Sequence, residues 1–131
     1  MSPLETIKQI YAAYGQGDFD TALGHCTEEV CFRWPIDAAM SRLAGNATGK
    51  PAFLERIHEL HRSFEFHAFS PVSIIADENR VAAQVEMEVT HRATGRRLKL
   101  ENAHFWTVKD GKAVELVEYY DTAAIVAAEA G

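Results

Sequence analysis

Asn102, His104 and Glu118 are the residues of this sequence best placed to do chemistry. From Arg97 to Val108 the apolar residues recur at every second position. Leu98, Leu100, Asn102, His104, Trp106 and Val108 share one face of a strand, and Arg97, Lys99, Glu101 and Thr107 lie opposite. In the next segment Val114, Leu116, Glu118 and Tyr120 continue the first face. A carboxamide, an imidazole and a carboxylate thus interrupt an apolar surface, where an unpaired polar group is costly. The Asp110-Gly111 turn sets position 104 opposite 116 or 118, according to whether the hairpin holds a bulge, so His104 and Glu118 are neighbours. In a pocket such a pair is an acid/base device. Glu118 takes a proton from a carbon next to a carbonyl, or activates a water. His104, oriented by Asn102 or Glu118, donates a hydrogen bond to the enolate oxygen. A His-Glu hydrogen bond that only satisfies two core groups is the other reading of the same pattern.

Tyr14, Trp34, Phe53, His61, Val85, Met87, Trp106, Leu116 and Tyr120 would bind substrate if the covered face encloses a cavity, and are plain core if it does not. His58-Glu59-Leu60-His61 carries two histidines at i and i+3. The spacing is not the HExxH of zinc proteases and no third ligand is placed, so no metal is expected. No nucleotide, flavin or haem motif is present, and no cofactor is expected. Asp37, after Pro35, is a secondary candidate for a base. Arg92, Arg96, Arg97 and Lys99 surround one hairpin and read as a solvated turn.

The elements that must position these groups follow from periodicity and capping. Ser2-Pro3-Leu4-Glu5 opens a helix with the form of a capping box, and Leu4, Ile7, Ile10, Tyr11 and Tyr14 make its apolar face up to Gly15-Gln16-Gly17. Asp18 begins a short second helix with Phe19, Ala22, Leu23 and Cys26 on one stripe. Val30 to Trp34 is a strand stopped by Pro35. Pro35 to Lys50 reads as a long loop that could cover a cavity. Pro51 starts a third helix with Phe53, Leu54, Ile57, Leu60, His61 and Phe64 on one arc. The period then changes to two: strands are expected at Phe66 to Phe69, Val72 to Ala76, Val81 to His91, Leu98 to Val108 and Ala113 to Asp121. Three helices followed by an antiparallel meander make an α+β domain, with the helices on one face of one curved sheet.

The chain has 131 residues, 47% of them hydrophobic, enough for one core and too few for two domains, so a single domain spanning 1–131 is expected. A formal net charge of −6 argues against nucleic acid or an anionic membrane as partner and favours a small soluble ligand or another protein chain; a cavity on the covered face would take a small apolar ligand. The polar, amphipathic MSPLETIKQI has no signal-peptide form, the apolar run from Thr122 to Ala128 is too short to span a bilayer, and Cys26 and Cys31 match no redox or zinc spacing. A cytoplasmic protein with reduced cysteines is the expectation.

The helix ending at Gly17-Asp18, the strand from Glu29 to Trp34 with Pro35 after it, the hairpin Thr94-Gly95-Arg96, and the stretch from Phe105 through Asp110-Gly111-Lys112 to Tyr120-Asp121 resemble a SnoaL-like protein of the NTF2-like superfamily, which includes ketosteroid isomerase. The resemblance implies a cone: three helices and a strongly bent, mainly antiparallel sheet around an apolar cavity, in a homodimer packed through the outer sheet face. It places His104 at the oxyanion-hole aspartate of ketosteroid isomerase and Glu118 at the catalytic aspartate of SnoaL-type cyclases. It also implies an isomerase, dehydratase or aldol-type cyclase, with a non-catalytic ligand-binding or dimerisation module as the alternative. Trp34 stands where ketosteroid isomerase has its general base, Ile10 where it has its helix-one tyrosine, and Asn102 where limonene epoxide hydrolase has its arginine. Steroid isomerisation and epoxide opening by those machineries are not expected. Ala103, Phe105, Val117 and Tyr119, on the outer face, suit the implied dimer.

Overall fold

The computed structural model describes residues 1–37, 39–41 and 43–131. Helix α1 spans Pro3–Gly15, with the Ser2 hydroxyl accepting from the Glu5 N–H at 3.2 Å and donating to the Glu5 carboxylate at 3.1 Å. Asp18 caps α2, Phe19–Gly24, by accepting from the Thr21 N–H and hydroxyl at 3.1 and 2.6 Å. Cys26 belongs to the strand that follows, β1, Cys26–Trp34, and not to the α2 stripe. The expected loop from 35 to 50 contains a strand, β2, Gly45–Thr48, paired antiparallel with β1. Helix α3 covers Lys50–Ser63.

One long strand, β3, Phe64–Asp77, replaces the two short ones expected there. Pro71 suggests a break, yet β3 is the last strand of the sheet and Pro71 sits at a register shift against its neighbour, where a missing N–H costs no ladder bond. Strands β4, Arg80–His91, β5, Arg97–Lys109, and β6, Lys112–Tyr119, complete an unclosed curved sheet in the order β2-β1-β6-β5-β4-β3. Among the described residues only β1 and β6 run parallel.

A fourth helix, α4, Thr122–Ala130, lies beyond the three expected. Its alanine-rich sequence has little amphipathic pattern, but Asp121 caps it by accepting from the Ala124 N–H at 3.1 Å, and Ile125 is buried in the core. Ile7, Ile10 and Tyr11 of α1 and Phe53 and Ile57 of α3 pack over the sheet in one hydrophobic core. Cys26 and Cys31 are both free thiols, and no helix is long and apolar enough to cross a membrane among the described residues.

Candidate active site

A bulge sets the register of the central pair. Asp110 and Gly111 both take positive φ, 50° and 76°, as a tight hairpin turn requires. Beside the turn Val108 pairs with Ala113, while Thr107 pairs with Glu115, so Val114 is the extra residue. The register beyond it sets His104 opposite Glu118 and Trp106 opposite Leu116. The inserted residue also reverses the facing, and fully buried Ala113 takes the inward position expected of Val114.

His104 and Glu118 are 4% and 8% exposed, with the imidazole Nε2 at 3.6 Å from Glu118 Oε1, too long for a hydrogen bond. The other ring nitrogen is held by Tyr11 of α1, whose hydroxyl lies 2.8 Å from His104 Nδ1. The Trp106 indole donates to the same hydroxyl at 2.9 Å. An oxygen that accepts from the indole keeps its own proton to donate to Nδ1; in that tautomer the neutral imidazole carries its proton on Nε2, on the side of the carboxylate. Burial lowers the His104 pKa and outweighs the opposing charge of Glu118. Burial likewise pushes the Tyr11 phenol well up, so it remains a donor. His104 Nε2, Glu118 Oε2 and the Trp34 indole Nε1 are buried without a hydrogen-bond partner.

These groups border an apolar cavity of about 80 Å³. Of the residues expected to form a site, Tyr14, Trp34, Phe53, Met87, His104, Trp106, Leu116, Glu118 and Tyr120 line it. Asn102, His61 and Val85 lie outside its wall. Asn102 donates to the Met87 sulfur at 2.7 Å and pairs across the sheet with Val85, so orienting the imidazole falls to Tyr11. His61 stacks on Phe66 at 4.3 Å and holds the Tyr14 hydroxyl at 2.9 Å through Nε2, one layer behind the cavity. Its pKa is lowered by burial first, then by the charges of Arg92 and His58. The Tyr14 and Tyr120 phenols are both raised by burial and then by the Glu118 charge.

Among the wall residues that sequence reasoning did not assign to a site, Tyr11 and Arg56 carry strong hydrogen-bonding groups. Tyr11 was legible only as part of the apolar face of α1, where a phenol passes for core. Arg56 donates through Nη1 to the Leu43 carbonyl and, at 3.0 Å, to that of Ala44, with its guanidinium carbon 5.7 Å from the Phe32 ring centre. Burial lowers its pKa. Nothing in the pattern of α3 singles it out from Arg62. Asp37 is bound locally, accepting from the Ala39 N–H at 2.9 Å, and is absent from the cavity wall. Among the described residues no three His, Cys, Asp or Glu side chains stand together as a metal site.

The SnoaL-like domain model matches residues 7–116. No curated protein matches the sequence. Among solved structures, an NTF2-like protein of unknown function from Burkholderia pseudomallei is 23% identical, with 98% of each chain covered and a TM-score of 0.87. TerC, co-crystallised with polyporic acid, is 23% identical over 98% of both chains, TM-score 0.84. A candidate SnoaL-like polyketide cyclase from Mesorhizobium loti is 24% identical, covering 92% of this chain and 100% of its own, TM-score 0.78. These likenesses carry the fold, and the family match carries the assignment: the chain belongs to the SnoaL-like domain family, on the NTF2-like fold.

Proposed function

We propose that this protein is a cofactor-independent acid/base catalyst acting on a small apolar compound with an enolisable carbonyl. The observation that carries the reading is the pair of unpartnered groups at the cavity, Glu118 Oε2 and His104 Nε2, the second a donor when the Tyr11 hydroxyl donates to Nδ1. Glu118 takes the proton from the carbon next to the carbonyl, and the C–H electron pair moves onto the carbonyl oxygen. His104 donates from Nε2 to that oxygen. The enolate then regains the proton at another carbon, expels a leaving group, or adds to a second carbonyl: isomerase, dehydratase or aldol-type cyclase. The polyketide cyclase name of one structural neighbour and the polyporic acid co-crystallised with another support this class.

The test is solvent deuterium exchange into a panel of enolisable ketones. The wild-type chain should accelerate exchange into at least one of them. Glu118→Gln should lower that rate by about 100-fold or more, within the usual span for a general base, with circular dichroism unchanged. Unchanged exchange in Glu118→Gln removes Glu118 as the base. The volume of about 80 Å³ is below the roughly 300 Å³ at which small-molecule sites usually begin, and it favours a second reading, a binding module for a small fragment. Thermal stabilisation by a ketone without any exchange would select that reading.

A further inference from the structure

We infer that Trp34 is a substrate-contacting residue whose indole N–H holds a second acceptor oxygen, so that the site selects compounds carrying an acidic hydrogen between two carbonyl groups. The inference rests on the proposed role of Glu118 and His104 and adds the substrate class. β1 runs parallel to β6 with Phe32 beside Leu116 and Arg33 beside Val117, so one further step puts Trp34 beside Glu118. On the other side of Glu118 stands His104. All three residues line the cavity, and together they form one row across three adjacent strands, donor, acceptor, donor.

Trp34 is 2% exposed and its Nε1 has no partner, whereas the indole of Trp106 is satisfied by Tyr11. A buried indole usually finds an acceptor for its N–H, and this one does not, although the ring itself is held edge-on against Tyr120 at 5.1 Å. A ligand oxygen is the acceptor that a cavity wall can offer. In the reaction the proton passes from carbon to Glu118. The electron pair spreads over both carbonyl oxygens, one held by His104 Nε2–H and the other by Trp34 Nε1–H.

The test compares 2-acetylcyclohexanone, which has two carbonyls around one acidic C–H, with acetylcyclohexane, which has the same ring and a single carbonyl. Calorimetric titration of the full chain should give the diketone about tenfold tighter binding, the size of one good buried hydrogen bond. Trp34→Phe should shrink the ratio between the two ketones to about twofold. The ultraviolet band of the bound enolate should weaken in Trp34→Phe and vanish in Glu118→Gln. If Trp34→Phe fails to fold, benzothienylalanine at position 34 keeps the ring shape, lacks the N–H and should give the same loss. A tenfold preference that survives either replacement, or its absence in the wild-type chain, overturns the role of Trp34. If equal binding of both ketones comes with Glu118-dependent exchange, only this inference falls. Binding of neither ketone, with no exchange, sinks the proposed function with it.

Discussion

A neutral imidazole at position 104 ties stability to pH. The His104 pKa in the folded chain lies below its ordinary value of 6.5 because burial penalises the charged ring. Above pH 6.5 neither folded nor unfolded chain binds the proton; below it the unfolded chain does and the native one does not, so stability falls as pH drops. Unfolding by urea should show a loss approaching about 1.4 kcal/mol per pH unit below the mid-sixes, and His104→Gln should flatten that slope. Tyr11→Phe tests the relay behind the imidazole. It removes the acceptor of the Trp106 indole and the hydrogen-bond partner of His104 Nδ1 together. The expected cost is about 1–3 kcal/mol of stability in urea titration, with slower ketone exchange because the tautomer is no longer fixed. The polar residues at 104 and 118 were legible because a period-two pattern exposes any polar intruder on its covered face. Tyr11 was not, since its partner lies on a strand 93 positions away.

At the scale of elements, the site depends on one inserted residue. With Val114 in regular pairing, position 104 would face 117 and Glu118 would lie on the outer face; one alanine inserted between Leu116 and Val117 should impose that slip, because a one-residue shift turns every later side chain over. Ketone-induced thermal stabilisation should disappear in that variant, and its melting temperature should fall. A retained ligand shift would mean that the register does not position Glu118. Gly111 is the second requirement. At φ 76° it occupies the left-handed region, with no atom closer than 3.8 Å to where a Cβ would stand, so Gly111→Ala is penalised by conformation alone, by about 1 kcal/mol in urea titration. The bulge was anticipated as one of two registers, which shows how far pattern reaches: both keep strands and turn intact, and long-range packing selects between them. α4 went unread for a related reason. Thr122–Ala130 is nearly all apolar, so it has no face to detect until Ile125 meets the cavity wall.

For the whole molecule, the outer sheet face carries Phe105 and Tyr119, 38% and 50% exposed, with rings 5.8 Å apart. An aromatic pair left on a sheet face that the helices do not cover predicts self-association through that face. Light scattering should give twice the chain mass at micromolar concentration, and Phe105→Glu combined with Tyr119→Lys should return a folded monomer. A monomeric wild-type chain would refute the dimer. The double variant, remote from the cavity wall, should retain ketone binding if each cavity functions by itself.

By itself the sequence determined the α+β class, the antiparallel meander and the two residues, His104 and Glu118, that stand against the apolar pattern. Those properties are local or periodic, written within one segment or across one hairpin. The tertiary structure decided which groups complete the site. Tyr11 from α1 and Arg56 from α3 join the cavity wall, and the Trp34 indole, a candidate from sequence, is left there without a partner, only after the sheet curves and the helices pack across it. Asn102 shares the parity of His104 but meets the Met87 sulfur instead of the imidazole. A strand's periodicity fixes which face a side chain takes, and the neighbour it finds on that face is set by the packing of the whole chain.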